Sequence, residues 1–214
     1  MIDVTFTFVS ARAETHAAVP TIVLRLRIET ASGRAIHTGI LRGQLRIDPR
    51  RRRYTPEEAE GIVDLFGEPT RWHDTMKTLL WAHVPIVVPA FEGRVEIDVP
   101  VACTFDFAVP AARFFHGLHD GEAPVTGHFS GTLFVAVPGG FEISQVPWDA
   151  EASIRLPVSV WRAAMDAHVA GTAWICLARE SFDALARFRT RRALPTWEAA
   201  VDALCAEAEA REIL

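Results

Sequence analysis

The chain lacks the short signatures that mark well-known catalytic centres. It has no P-loop, no G-x-G-x-x-G, no HExxH, and no G-x-S-x-G elbow around Ser130. Phosphate-cradling loops, zincin-type metal sites and nucleophile elbows are thereby excluded. A catalytic site assembled from dispersed residues is not excluded, because such sites leave no local signature. Cysteine is scarce. Cys103, Cys176 and Cys205 are far apart, odd in number and form no CxxC, so they specify neither a disulfide framework nor a zinc knuckle. Their apolar neighbours suit small core residues in a reducing compartment. There is no excess of positive charge either. A net charge of −5 argues against a general nucleic-acid binder, which needs a basic face to neutralise phosphates. No apolar run is long enough to span a bilayer. The most apolar, Leu79 to Phe91, is interrupted by His83, Pro85 and Pro89. The N-terminus, Met1-Ile-Asp-Val-Thr-Phe-Thr-Phe, has neither the basic n-region nor the apolar stretch of a signal peptide. It reads as a strand, and a cytoplasmic location is expected.

What is present is a chain of 214 residues, 50% of them hydrophobic, with a mean hydropathy of +0.15. That apolar excess fits either a partner surface or homodimer, or an unusually apolar core. Period-two alternation dominates the first three quarters. Val4, Phe6 and Phe8 alternate with Thr5 and Thr7. Ile22, Leu24, Leu26 and Ile28 alternate with Val23, Arg25, Arg27 and Glu29. A turn at Ala31-Ser-Gly-Arg34, with Gly33 free to take positive φ, leads to a third strand over 36–48, so strands two and three read as a hairpin. Gly39 and Gly43 within that strand mark bulges or a close backbone crossing. Thr55, Pro56 and Glu58 spell a capping box that starts a helix running to Phe66 and stopped by Gly67. Thr75 to Val88 reads as extended, 111–118 as one or two helical turns, and Asp120-Gly121 as a turn. Two strands, 125–137 and 141–146, form a hairpin about Pro138-Gly-Gly140, and 150–156 is the last strand.

Beyond Pro157 the period changes to helical. Three helices are expected. The clearest carries Trp197, Ala200, Val201, Leu204, Cys205 and Ala208 on one stripe, with Thr196 as N-cap. The predicted fold is α+β: an N-terminal antiparallel β-sandwich or strongly twisted sheet with a C-terminal set of about three helices packed on it. It is read as one compact domain over 1–214, with 1–156 mainly β and 157–214 helical.

Three constellations are candidates for function. His116, His119, Asp120 and His128, with Glu122 between, are the one cluster of hard metal-ligand types, suited to zinc, nickel or iron, although their spacing matches no established signature. Otherwise they are a polar turn, and no cofactor is the default. Arg50, Arg51, Arg52 and Arg53 form a dense basic run that suits an acidic protein surface or phosphate, or else a solvated loop. A second basic set, Arg187, Arg189, Arg191 and Arg192, sits where it offsets a helix dipole. Of six tryptophans, Trp161 and Trp197 fall in apolar stripes and read as core. Trp148, in a loop, is the candidate partner anchor.

Several strings then occur together: Val63-Asp-Leu-Phe-Gly-Glu68, Leu80-Trp-Ala-His-Val84, Cys103-Thr-Phe-Asp-Phe107, Phe129-Ser-Gly-Thr-Leu-Phe134 and Leu194-Pro-Thr-Trp197. Over nearly the whole length the chain resembles an actinobacterial-type domain-of-unknown-function family often encoded beside nickel–iron hydrogenase subunits and maturation factors. The resemblance implies a bacterial cytoplasmic context and supplies no catalytic residue. The expectation is a non-enzymatic accessory or scaffold protein that binds a protein partner in hydrogenase assembly or maturation. Trp148 and the Arg50–Arg53 run would make the contact. Two alternatives stay open: a small-molecule or metal-binding module using the His116–His128 region, and an enzyme with a dispersed site.

Overall fold

The computed structural model describes residues 3–30, 34–104, 106, 109–168 and 175–212. They divide into two compact units, 1–174 and 175–214. The first unit carries eight strands among the described residues, in two antiparallel sheets. One sheet has the order β1 (Val4–Glu14), β2 (Thr21–Thr30), β5 (Arg94–Ala102). The other places β3 (Ile36–Ile47) between β4 (Leu79–Val88) and the long β6 (Glu122–Val137). The far side of β6 is shared end to end. β8 (Glu151–Pro157) pairs with its first half and β7 (Gly140–Gln145) with its second.

The period-two pattern dictates this packing. Ile22, Leu24, Leu26 and Ile28 of β2 all point inward and are fully buried, while Arg25, Arg27 and Glu29 point out. From the opposite sheet Leu41, Leu45, Phe129 and Leu133 meet them. The ring of Phe6 stacks on Phe129 with centroids 4.5 Å apart, joining the two inner faces. At Gly39 and Gly43 it is neighbouring side chains, not another backbone, that come close. A Cβ at Gly39 would stand 2.6 Å from Leu133 Cδ2, and one at Gly43 2.9 Å from Val84 Cγ2. The register shifts of β3 fall elsewhere, at Ile36/Thr38 and Leu45/Arg46. Pro85 and Pro100 sit on β4 and β5, each an outer strand of its sheet, where a missing N–H costs little.

One expected pairing is wrong. β2 and β3 are not a hairpin: β2 pairs with β1 and β5, whereas β3 pairs with β4 and β6. The chain crosses from one sheet to the other between them. Alternation fixes which face of a strand is apolar but not which strand lies beside it. Residues 31–33 of the anticipated turn lie outside those described.

Short helices close one end of the sandwich. The capping box forms in both directions, Glu58 N–H to Thr55 Oγ1 and Thr55 N–H to Glu58 Oε2, each 3.3 Å. The helix it starts, however, is two pieces, α1 (Pro56–Gly61) and α2 (Val63–Phe66), broken at the buried Ile62 (φ −121, ψ 10). Gly67, at φ 71, ends the second. After α3 (Trp72–Thr75) comes β4, and α4 (Pro110–His116) inserts Phe114 and Phe115, both wholly buried. Their rings meet Tyr54, Phe66, Trp81 and Trp161. Trp161 comes from α5 (Val158–Asp166), which lies against β1, β2 and β8. The first of the three C-terminal helices thus belongs to the strand-bearing unit.

The second unit holds α6 (Arg179–Arg191) and α7 (Trp197–Glu212). Thr196 Oγ1 accepts the Ala199 N–H at 3.1 Å, as expected of an N-cap. Arg192 pairs with Glu207, the Arg189 guanidinium lies 4.1 Å over the Trp197 ring, and Phe182 packs beside the same ring. The expected α7 stripe is not core. Ala200 is buried, but Trp197, Val201, Leu204 and Cys205 are exposed.

Candidate functional site

The outward face of the β4-β3-β6-β7 sheet has two ends of different character. At one end the strand register lines up apolar side chains. Ile40 of β3 stands opposite Val87 of β4, and both are exposed, Val87 by 73%. On the neighbouring pair, Phe134 stands opposite Ile143, which is 61% exposed, and Ala136 opposite Phe141. The Phe134 and Phe141 rings meet edge to face at 5.2 Å, and the exposed His37 ring stacks beside Phe141 at 6.2 Å. Where β7 gives way to β8, Pro147 to Asp149 turn beside β6 and leave Trp148 95% exposed. The sequence expectation for Trp148 named it alone. The apolar row beside it was missed. Its signal was a lapse of alternation, Ile40-Leu41 and Ile86-Val87-Val88, where both faces of a strand are apolar.

At the other end the surface turns basic. An open depression of about 730 Å³ is lined by Arg50, Arg51, Arg52, Arg53, Gly121, Glu122 and Arg155. The four consecutive arginines do different things. The Arg52 side chain is only 7% exposed: its Nη2 donates to both oxygens of Glu58 at 2.7 Å and its Nε to the Arg53 carbonyl at 3.2 Å. Its Nη1 is buried with no hydrogen-bond partner. Glu58 also accepts the N–H groups of His119 at 2.9 Å and Asp120 at 3.5 Å. Burial alone would raise the Glu58 carboxyl. Hydrogen bonds from His119, Thr55 and Arg52 outweigh it and hold the group below the usual glutamate value. Arg50 is spent on backbone, its Nε donating to the Met76 carbonyl at 2.7 Å and its Nη2 to that of His73. Arg51 stands off Asp48 at 3.9 Å. Arg53, and Arg155 from β8, have no ion-pair partner among the described residues. Around this depression Arg53 and Arg155 are thus the cations without an ion pair, and Arg51 is held only loosely by Asp48. No local pattern pointed to Arg155. It joins the set because β8 pairs Arg155 with Pro124 near the start of β6.

The residues considered for a metal are spread out. His116 ends α4, and burial, with the Arg162 charge, lowers its pKa. His119 and Asp120 engage Glu58 through their backbone N–H groups. His128 lies on the outward face of β6, 3.6 Å from Glu151 of β8. Among the described residues no three or more His, Cys, Asp or Glu side chains gather as a metal-holding group. The cysteines divide as well. Burial pushes the Cys103 thiol up to about 12, whereas Cys176 and Cys205 are exposed, against the expectation that all three are core residues. No helix among the described residues is long and apolar enough to cross a membrane.

Solved structures that share local likeness include a selenomethionine-labelled beta-glucosidase from Kluyveromyces marxianus. It is 5% identical with a TM-score of 0.28, covering 73% of this chain and 15% of that one. Another is beta-glucosidase 3B from Thermotoga neapolitana in complex with alpha-D-glucose, 14% identical with a TM-score of 0.23, covering 72% and 17%. The chain spans about a sixth of the length of these enzymes, and neither fold nor activity is carried over from them. A search of curated proteins found no match. The family comparison is of a different kind: the chain belongs to the family of unknown function DUF6084, whose model matches residues 1–213.

Proposed function

We propose that this protein is a non-enzymatic accessory protein that docks a protein partner on the outward face of its β4-β3-β6-β7 sheet. The observation that carries the reading is the exposed apolar row of Ile40, Val87, Phe141 and Ile143 beside the 95% exposed Trp148. Isolated exposed apolar residues are ordinary, but a contiguous row is the usual mark of an interaction surface. Aromatic anchors at the centre and arginines at the rim are the composition of protein interfaces. Here Trp148 and Phe141 are the anchors, and Arg51, Arg53 and Arg155 are the rim. A partner that fits this face has an apolar patch flanked on one side by carboxylates. The family resemblance nominates nickel–iron hydrogenase subunits or their maturation factors as that partner.

The test is affinity purification of the protein at native expression from its host, with wild type and a Phe141→Asp/Ile143→Asp/Trp148→Ala variant run in parallel. Recovery of a hydrogenase subunit or maturation factor by the wild type, lost in the variant, is the expected result. Wild-type purifications that never contain a hydrogenase component would overturn the hydrogenase assignment. Equal recovery by the variant would overturn the docking face.

A further inference from the structure

Taken by itself, the 175–214 unit presents apolar side chains on its surface and carries opposite charge on its two helices. Ile175, Leu177 and Phe182 are exposed, as are Trp197, Val201 and Leu204 of α7. On α7 the last three recur at i, i+4 and i+7, so they form one stripe along the helix. The hairpin encloses little of its own. No residue of α6 is buried, and α7 buries Ala200. Two helices with so small a core need another body to pack against. Charge says which body. Helix α6 holds four arginines and two acidic residues, a net of +2. Helix α7 holds five acidic residues and one arginine, a net of −4. Within one hairpin this opposition is already used, by Arg192 with Glu207 and by Arg189 over Trp197.

We infer that the hairpin is a homodimerisation element, and that its occupant is the same hairpin of a second copy. A two-fold axis sets α6 of one copy beside α7 of the other, and α7 beside α6, so each contact occurs twice. Around the resulting four-helix bundle every adjacent pair is then opposite in net charge, and like-charged helices meet only across the diagonal. The stripe of Trp197, Val201 and Leu204 faces inward in that bundle, where its burial drives association. A partner of single charge sign would match one helix and repel the other. A second copy matches both. The inference stands apart from the sheet-face reading, since it uses none of the residues of that face.

Sedimentation velocity of the full chain, in reductant so that the exposed Cys176 and Cys205 form no crosslink, reads the oligomeric state directly. A concentration-dependent dimer is expected. Val201→Glu/Leu204→Glu yields a monomer at the same concentrations. Two charge-reversal variants sharpen the test. Arg187→Glu/Arg191→Glu makes both helices acidic, and Glu198→Arg/Asp202→Arg/Glu209→Arg makes both basic, while Arg192 with Glu207 is left in place. Each alone dimerises at least about tenfold more weakly than wild type, because like charges face each other. Mixed in equal amounts they form a heterodimer, because both contacts become opposite again. Circular dichroism showing wild-type helix content in the mixture excludes simple unfolding as the cause. A wild-type chain that stays monomeric overturns the inference, as does a dimer that survives Val201→Glu/Leu204→Glu. Charge-reversed variants that fail to pair on mixing overturn the charge-matched geometry.

Discussion

On the outward face of the β1-β2-β5 sheet, Arg25 of β2 reaches Asp98 at 3.0 Å and Glu96 at 3.3 Å, and Arg27 reaches Glu96 at 2.9 Å. Arg12 of β1 adds a contact to Asp98 at 3.4 Å. Arg25 stands opposite Asp98 and Arg27 opposite Glu96 across the β2–β5 pair, so these charges are matched by residues of the same face. On the β4-β3-β6-β7 sheet the outward positions hold Ile40, Val87, Phe134, Ile143 and Phe141 at one end. At the other stand Arg51, Arg53 and Arg155 around an open depression. One surface pairs its charges among its own residues, and the other leaves apolar and cationic side chains exposed.

The largest expected effect tests whether the cationic end of the open face is a rigid platform. Glu58→Ala removes the carboxylate that receives Arg52, Thr55, His119 and Asp120, leaving a buried guanidinium without its counter-charge. Breaking a buried pair on one side costs about 3–5 kcal/mol, read as a fall in the urea midpoint of the full chain. The same carboxyl makes an acid limb. It is held below its ordinary value in the folded chain, so its contribution is complete above the unfolded glutamate pKa of about 4.3. That contribution is lost as pH falls through the lower folded value. Glu58→Gln flattens that limb. If Glu58→Ala moves the midpoint no more than an exposed substitution does, the arginine end is an ordinary mobile loop and the comparison between the faces weakens.

A smaller effect on the molecule, but a decisive one for the reading, comes from the apolar end. Phe141→Asp/Ile143→Asp places charge on side chains that are already exposed. Surface changes of this kind usually alter stability by no more than about 0.5 kcal/mol each. Loss of an interface anchor costs about 2 kcal/mol or more, roughly thirtyfold in Kd. The predicted signature is unchanged unfolding with partner capture abolished. Unfolding that tracks the loss of capture would mean that these side chains serve the sandwich itself.

Local patterns in the sequence carried much of this architecture. Alternation gave the inner face of β2 residue by residue, and Thr55 with Glu58 announced a helix start that the structure forms in both directions. What depended on partners between distant strands did not show. The β2–β3 connection looked like a hairpin, because an amphipathic strand pattern is satisfied by any neighbour that presents an apolar face. The four arginines read as one patch. Only the fold separates Arg52, closed onto Glu58, and backbone-bound Arg50 from the exposed Arg51 and Arg53, and only strand pairing brings in Arg155. The α7 stripe was visible as a stripe, yet periodicity reports an apolar face without saying what covers it.

The smallest effect belongs to the closed face, and its size is the point. Arg27→Ala, Glu96→Ala and the double variant form a cycle on one cross-strand pair. The pair is partly exposed, so its coupling falls well below the Glu58 effect and disappears at about 1 M salt, where the Debye length is about 3 Å. Arg27 and Arg25 hold the Glu96 carboxyl below its ordinary value, and Arg25 and Arg12 do the same for Asp98. The ladder therefore contributes above the unfolded carboxylate range and fades as pH falls through the lowered folded values. Partner capture by Arg27→Ala stays at wild-type level, because that face lies on the other sheet. A ladder variant that reduces capture as much as Phe141→Asp/Ile143→Asp would show that the partner reads both faces. The contrast between a finished face and an open one would then lose its meaning.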